Sequence, residues 1–168
     1  MRETRPQVVI TYDENGGYGH PDHIQAHRVA VMAFDLAGEP GFAPELGEPW
    51  QPAKLYYHAV PRSQFYEGIA ALKEKGVETG FEEMDEPSFI VDDDAVTTAI
   101  DTVAQVPAKV AALRAHRSQI AVNDVFYAMA DGGPRAMFAY ETFRLARGEM
   151  GTPAADGRED DVFSGIHE

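Results

Sequence analysis

Cysteine is absent from the 168 residues, which excludes disulfides, thiolate metal sites and cysteine nucleophiles together. Any metal must therefore be held by His, Asp or Glu. Basic side chains are scarce too: 14 Lys and Arg stand against 28 Asp and Glu, a formal charge of -14. Nothing in that balance attracts a phosphate backbone, so nucleic acid is not an expected partner. No apolar run of about 18 residues is present, and Met1 to Pro6 lacks the basic-then-apolar layout of a secretory leader. The expectation is a cytoplasmic chain with no membrane partner. What is present is 44% apolar side chains, enough to bury the core of one domain. Gly76 to Asp101 carries nine acidic and no basic residues, and more acid follows Gly151. Such runs are ordinarily solvated surface.

Along the chain, short β-branched segments alternate with amphipathic ones. Gln7 to Tyr12 reads as a strand, and Asp13 to Gly19, with three glycines, as a loop. From Pro21 a helix begins, with Ile24, Ala26, Val29, Ala30, Met32, Ala33 and Leu36 as its apolar positions, stopping at Gly38. Gly38 to Pro52 is a Pro- and Gly-rich crossing, Ala53 to Val60 a strand, and Ser63 to Lys75 a helix. Ser63 is its expected N-cap, and Phe65, Ile69 and Leu72 form its buried side. Ser88 to Val91 and Ala95 to Ile100 read as strands around an Asp92–Asp94 turn, and Pro107 to Ile120 as a helix lined by Val110, Leu113 and Ile120. Val125 to Met129 and Glu141 to Ala146 read as strands flanking an Asp131–Pro134 turn. Beyond Gly148 the chain is polar, and only Val162, Phe163 and Ile166 are expected to dock. The alternation gives an α/β sandwich, with residues 1–148 as part of one domain and 149–168 as an acidic tail. A first strand at residue 7 and a dense chemical segment by residue 20 suggest the back part of something longer.

Chemistry concentrates in Tyr18-Gly-His-Pro-Asp-His23, with His27 one helical turn on. His23 and His27, four apart, could chelate a divalent ion by spacing alone, while His20 precedes the helix at its electropositive end. Imidazoles beside Asp22 suit both metal ligation and proton transfer near neutrality. The bland alternative is a capped helix start. Elsewhere the bland readings prevail: His58 as a core or rim histidine, His116 as surface, Asp92–Asp94 and Asp131–Pro134 as turns. Ser63 has no organised base beside it.

Thr11 to Arg28 as a whole resembles the second signature of the LmbE-like (PIG-L-type) zinc deacetylases, in particular those of the mycothiol pathway. Pro49 to Tyr57, Ala108 to Ile120 and Glu159 to Gly165 extend the resemblance across nearly the whole chain. It implies a Rossmann-like α/β sandwich and hydrolysis of an N-acyl glucosamine amide, often on an inositol-linked sugar, by zinc-activated water. Carried over by position, His23 resembles the zinc ligand of this segment. His20 resembles the histidine that steadies the tetrahedral intermediate and protonates the amine, Asp22 the residue that orients it, and Tyr18 an oxyanion donor. His27 is then structural.

Complete members also carry an Ala-His-Pro-Asp-Asp-Glu signature, and this sequence has none; its one His-Pro-Asp starts at His20. A single histidine cannot hold catalytic zinc, which takes three protein ligands. The chain thus resembles a C-terminal portion without the first strands of the sheet, and alone it is expected to be inactive. Three readings stand side by side: deacetylation of a glucosaminyl-inositol, cleavage of mycothiol S-conjugates by an amidase, and an inactive remnant that binds sugar. A homo-oligomer that completes the site, and self-association through bare Val8, Ile10 and the helix after Pro21, belong to the same expectations.

Overall fold

A computed structural model describes residues 1–81, 86–121, 124–130 and 138–166. The fold is α/β, as the alternation implies. Strands β1 (Val8–Thr11), β2 (Lys54–His58), β5 (Thr98–Asp101) and β6 (Tyr140–Arg147) form one sheet in the order β1-β2-β6-β5. The first pair is parallel and the other two antiparallel. A small parallel pair joins β3 (Val60–Pro61) to β4 (Ile90–Val91). The helices are α1 (Pro21–Ala37), α2 (Arg62–Glu74), α3 (Val106–Ala115) and α4 (Val125–Met129). Among the described residues no helix is long and apolar enough to cross a membrane.

β2 is one of the two interior strands. Lys54, Leu55, Tyr56 and Tyr57 are all buried, and because successive side chains point to opposite faces, both faces of β2 must be covered. Leu55 and Tyr57 pack on Phe34 of α1, with Val9, Val31 and Ala146 around them. Lys54 and Tyr56 meet Glu159 instead, and Glu159 has no exposed surface. Its main chain also bonds to Thr97 and Ala99, continuing the sheet at the edge of β5. The three apolar residues expected to dock the C-terminal segment matter less, and Phe163 is exposed. Buried hydrogen bonds to a carboxylate fix this segment.

α1 keeps the expected limits but turns a different side inward. Its buried residues are Phe34 and Ala37, while Val29 and Met32 are 63% and 62% exposed. The helix is apolar on two sides, and the sheet covers one of them. Ile10 on the edge strand β1 is also exposed. The crossing after α1 is ordered by Arg2, a buried guanidinium that donates to the carbonyls of Ala37, Glu39, Ala43 and Gly47.

Three expected elements change. α2 begins at Arg62 without a side-chain cap of its own, since Asp93, thirty residues on, accepts the Ser63 N–H at 3.0 Å. Its buried residues Phe65, Ile69 and Leu72 are the expected ones. α3 stops at Ala115, short of the expected Ile120. Val125–Met129 is a helix and not a strand: Asp124 accepts the Phe126 N–H at 3.1 Å, so a cap overrides β-branched and aromatic composition. The Asp131–Pro134 turn lies outside the described residues.

Candidate active site

β1 delivers the chain to the loop before α1, and the loop is built by its first residue. The Asp13 carboxylate accepts the N–H groups of Asn15 at 3.1 Å and Gly17 at 2.8 Å, an Asx turn that reverses the chain. Gly16 has φ +65°, and a Cβ there would lie 2.6 Å from the Ile24 nitrogen and 2.9 Å from the His23 Cβ. Only glycine fits this close approach. It lets the Gly16 carbonyl reach the His23 Nδ1 at 3.2 Å. Ser88, from the acidic stretch, donates to the Gly17 carbonyl at 2.9 Å and ties the loop from outside.

The result is a compact group of rings. His23 stacks on Tyr12 with centroids 4.1 Å apart and planes 8° apart. Tyr18 meets His23 edge-on at 5.0 Å, and His20 lies 5.1 Å from His23. With Nδ1 engaged by a carbonyl, the His23 ring is held with Nε2 as its other nitrogen, an arrangement that also fixes the tautomer of metal-binding histidines. His20 accepts the Asp22 N–H on Nδ1 at 3.2 Å, capping α1, so its neutral ring carries the proton on Nε2. Asp22 thus touches His20 through its main chain. Tyr18 is 63% exposed, its hydroxyl open to a ligand.

His27 does not join them. Its Nδ1 bonds the Tyr12 carbonyl at 2.9 Å and its ring lies edge-on to Tyr57, so the chelate allowed by spacing gives way to a structural contact. His58 ends β2 at the rim, edge-on to Phe143. Desolvation by the surrounding protein lowers its pKa against the pull of Glu141 and Asp13. Among the described residues no three His, Asp or Glu side chains are placed to hold a metal ion. Two contributors went unassigned in the sequence. Asp13 was readable as an Asx residue ahead of glycines, whereas Ser88, 71 residues from its partner, left no local signal.

A strand that runs into a glycine-built loop, with histidines and a tyrosine standing open at the start of the next helix, defines an α/β protein with a candidate site at a strand C-terminal end. No family model matches the chain. Curated proteins do. The chain is 50% identical to the 1D-myo-inositol 2-acetamido-2-deoxy-alpha-D-glucopyranoside deacetylase of Geodermatophilus obscurus, over 99% of its own length and 57% of that protein. It is 46% identical to the protein of the same name from Streptomyces avermitilis, covering 56% of it. For that of Acidothermus cellulolyticus the identity is 49% and the coverage 54%. Over nearly its whole length the chain is similar to deacetylases of this name, and it spans little more than half the length of these relatives.

Proposed function

We propose that this chain is the C-terminal portion of an enzyme that hydrolyses the acetamide of a glucosaminyl-inositol, and that Tyr18, His20, Asp22 and His23 are its share of the active site. The observation that carries the reading is the His23 ring, anchored at Nδ1 by Gly16 and stacked on Tyr12, with His20 and Tyr18 packed around it. The names of the relatives favour the deacetylase over the conjugate amidase. The exposed apolar side of α1 and the exposed Ile10 on the edge strand β1 support a neighbouring segment.

Zinc in such an enzyme supplies Lewis-acid activation of water. The described residues do not fit the ion by themselves, since they offer one imidazole where catalytic zinc takes three protein ligands. The remaining ligands must come from the part of the relatives that the chain does not span. What this chain's own residues do follows from their hydrogen bonds. The Tyr18 hydroxyl donates to the acetamide oxygen as negative charge develops there. His20, once a second proton on Nδ1 releases the Asp22 N–H, gives its Nε2 proton to the departing sugar amine, which leaves poorly as an anion. Asp22, in the first turn of α1, orients the His20 ring through its main-chain N–H.

Metal content and acetate release test the proposal. The isolated chain should retain well under one zinc after dialysis and release no acetate from N-acetylglucosaminyl-inositol. Joined to the remaining segment of the Geodermatophilus obscurus relative it should gain both, and His23→Ala should remove both again. Turnover by the joined protein that survives His23→Ala overturns the assignment.

A further inference from the structure

Far along the chain from the histidine cluster, a cavity of about 720 Å³ opens where α3 ends and α4 begins, lined by Arg114, Arg117, Ile120, Ala121 and Tyr127. Its volume falls within the range of small-molecule sites. Its charge is opposite to that of the chain. Carboxylates outnumber basic groups two to one, and Lys54, Arg62, Lys109, Arg144 and Arg147 each pair with one. Among the described residues neither Arg114 nor Arg117 is paired in this way. Two cations without a carboxylate partner among the described residues, on one cavity in so acidic a chain, are best matched by a ligand that brings its own negative charge.

The lining says more about that ligand. The Arg114 guanidinium lies 6.0 Å from the Tyr127 ring centroid. Stacking over the ring pre-orients the guanidinium and leaves its N–H edge for a planar oxyanion. Tyr127, Ile120 and Ala121 supply an apolar wall beside the two cations. We infer that this cavity binds a small organic anion, a carboxylate or phosphomonoester that also carries an apolar group. Arg114 and Arg117 hold the oxyanion, and Tyr127 and Ile120 take the apolar part. The inference is independent of the deacetylase reading.

Calorimetric titration of the full chain with benzoate, phenyl phosphate, inorganic phosphate and uncharged benzyl alcohol tests it. Phenyl phosphate or benzoate should bind at millimolar concentration or below, more tightly than inorganic phosphate, with benzyl alcohol weakest. Which of the two anions binds tighter tells a phosphate from a carboxylate site. Arg114→Gln with Arg117→Gln should weaken binding about ten-fold or more, while Lys73→Gln, an exposed charge on α2, should leave it unchanged. Both arginines are exposed, so the variants should keep the circular dichroism of the parent. No binding of either aromatic anion at millimolar concentration overturns the inference. So does equal affinity in the double variant, or benzyl alcohol binding as tightly as the anions.

Discussion

The two faces of β2 are finished in opposite ways. On the face of Lys54 and Tyr56, Glu159 accepts from the Lys54 Nζ at 2.5 Å, Tyr56 Oη at 2.6 Å, Thr98 Oγ1 at 3.0 Å and the Gly151 N–H at 2.5 Å. The side chains of Lys54, Tyr56, Thr98 and Glu159 are bonded inward and buried. On the face of Leu55 and Tyr57 lies α1, with His20 as its cap and His23 in its first turn, each with one ring nitrogen engaged. The first face spends its polar groups on holding the chain together. The second keeps them partly open, which is what a binding site requires and what stability does not reward.

The contrast breaks most sharply at Glu159. Glu159→Ala leaves the Lys54 ammonium buried without its partner and should cost about 3–5 kcal/mol in urea unfolding. Lys54→Met combined with Glu159→Leu should recover most of that loss, because no charge is then left buried. Burial raises the Glu159 pKa, but hydrogen bonds from Lys54, Tyr56, Gly151 and Thr98 outweigh it and hold the carboxyl below its ordinary value. A depressed pKa gives stability that is complete above the ordinary glutamate range and is lost as pH falls through the folded value. Unfolding followed between about pH 5 and pH 3 should show that loss, and Glu159→Gln should flatten it.

On the other face the same kind of perturbation should act on the site more than on the fold. Gly16→Ala forces a left-handed backbone that costs about 1–2 kcal/mol, and its Cβ pushes against the main chain of His23 and Ile24. The expected outcome is a smaller fall in overall stability than at Glu159, with faster amide exchange confined to residues 13–24. Exchange spreading through β2 and β6 would mean that the two faces are not separable.

What was readable from the sequence divides along the same line. Tyr18, His20, Asp22 and His23 lie within six residues, and the contacts that shape them come from Asp13, Gly16 and Asp22, so local pattern was enough to find the cluster. The Glu159 network joins residues up to 105 apart, and nothing around Glu159 in an acidic, polar stretch sets it apart from solvated charge. α1 shows the intermediate case: its limits were legible, but a helix apolar on two sides does not say which side the sheet takes. Val125–Met129 misled because strand-forming composition is a weaker influence than one well-placed cap.

Asp93 tests whether the contrast is a matter of degree. It is half-buried, bridges two elements as Glu159 does, and takes its partner from a helix start as the His20 ring does. Hydrogen bonds from the Ser63 side chain and main chain lower its pKa, with Arg158 and Arg62 adding to the effect. Asp93→Ala removes the cap of α2 and should cost about 1 kcal/mol, the least of the three changes, with faster exchange of the Ser63 amide. If burial sets the scale, Asp93→Asn should cost less still, since an amide oxygen can accept the same N–H. A loss as large as that of Glu159→Ala would mean that distance along the chain, and not burial, decides which polar contacts hold this fold.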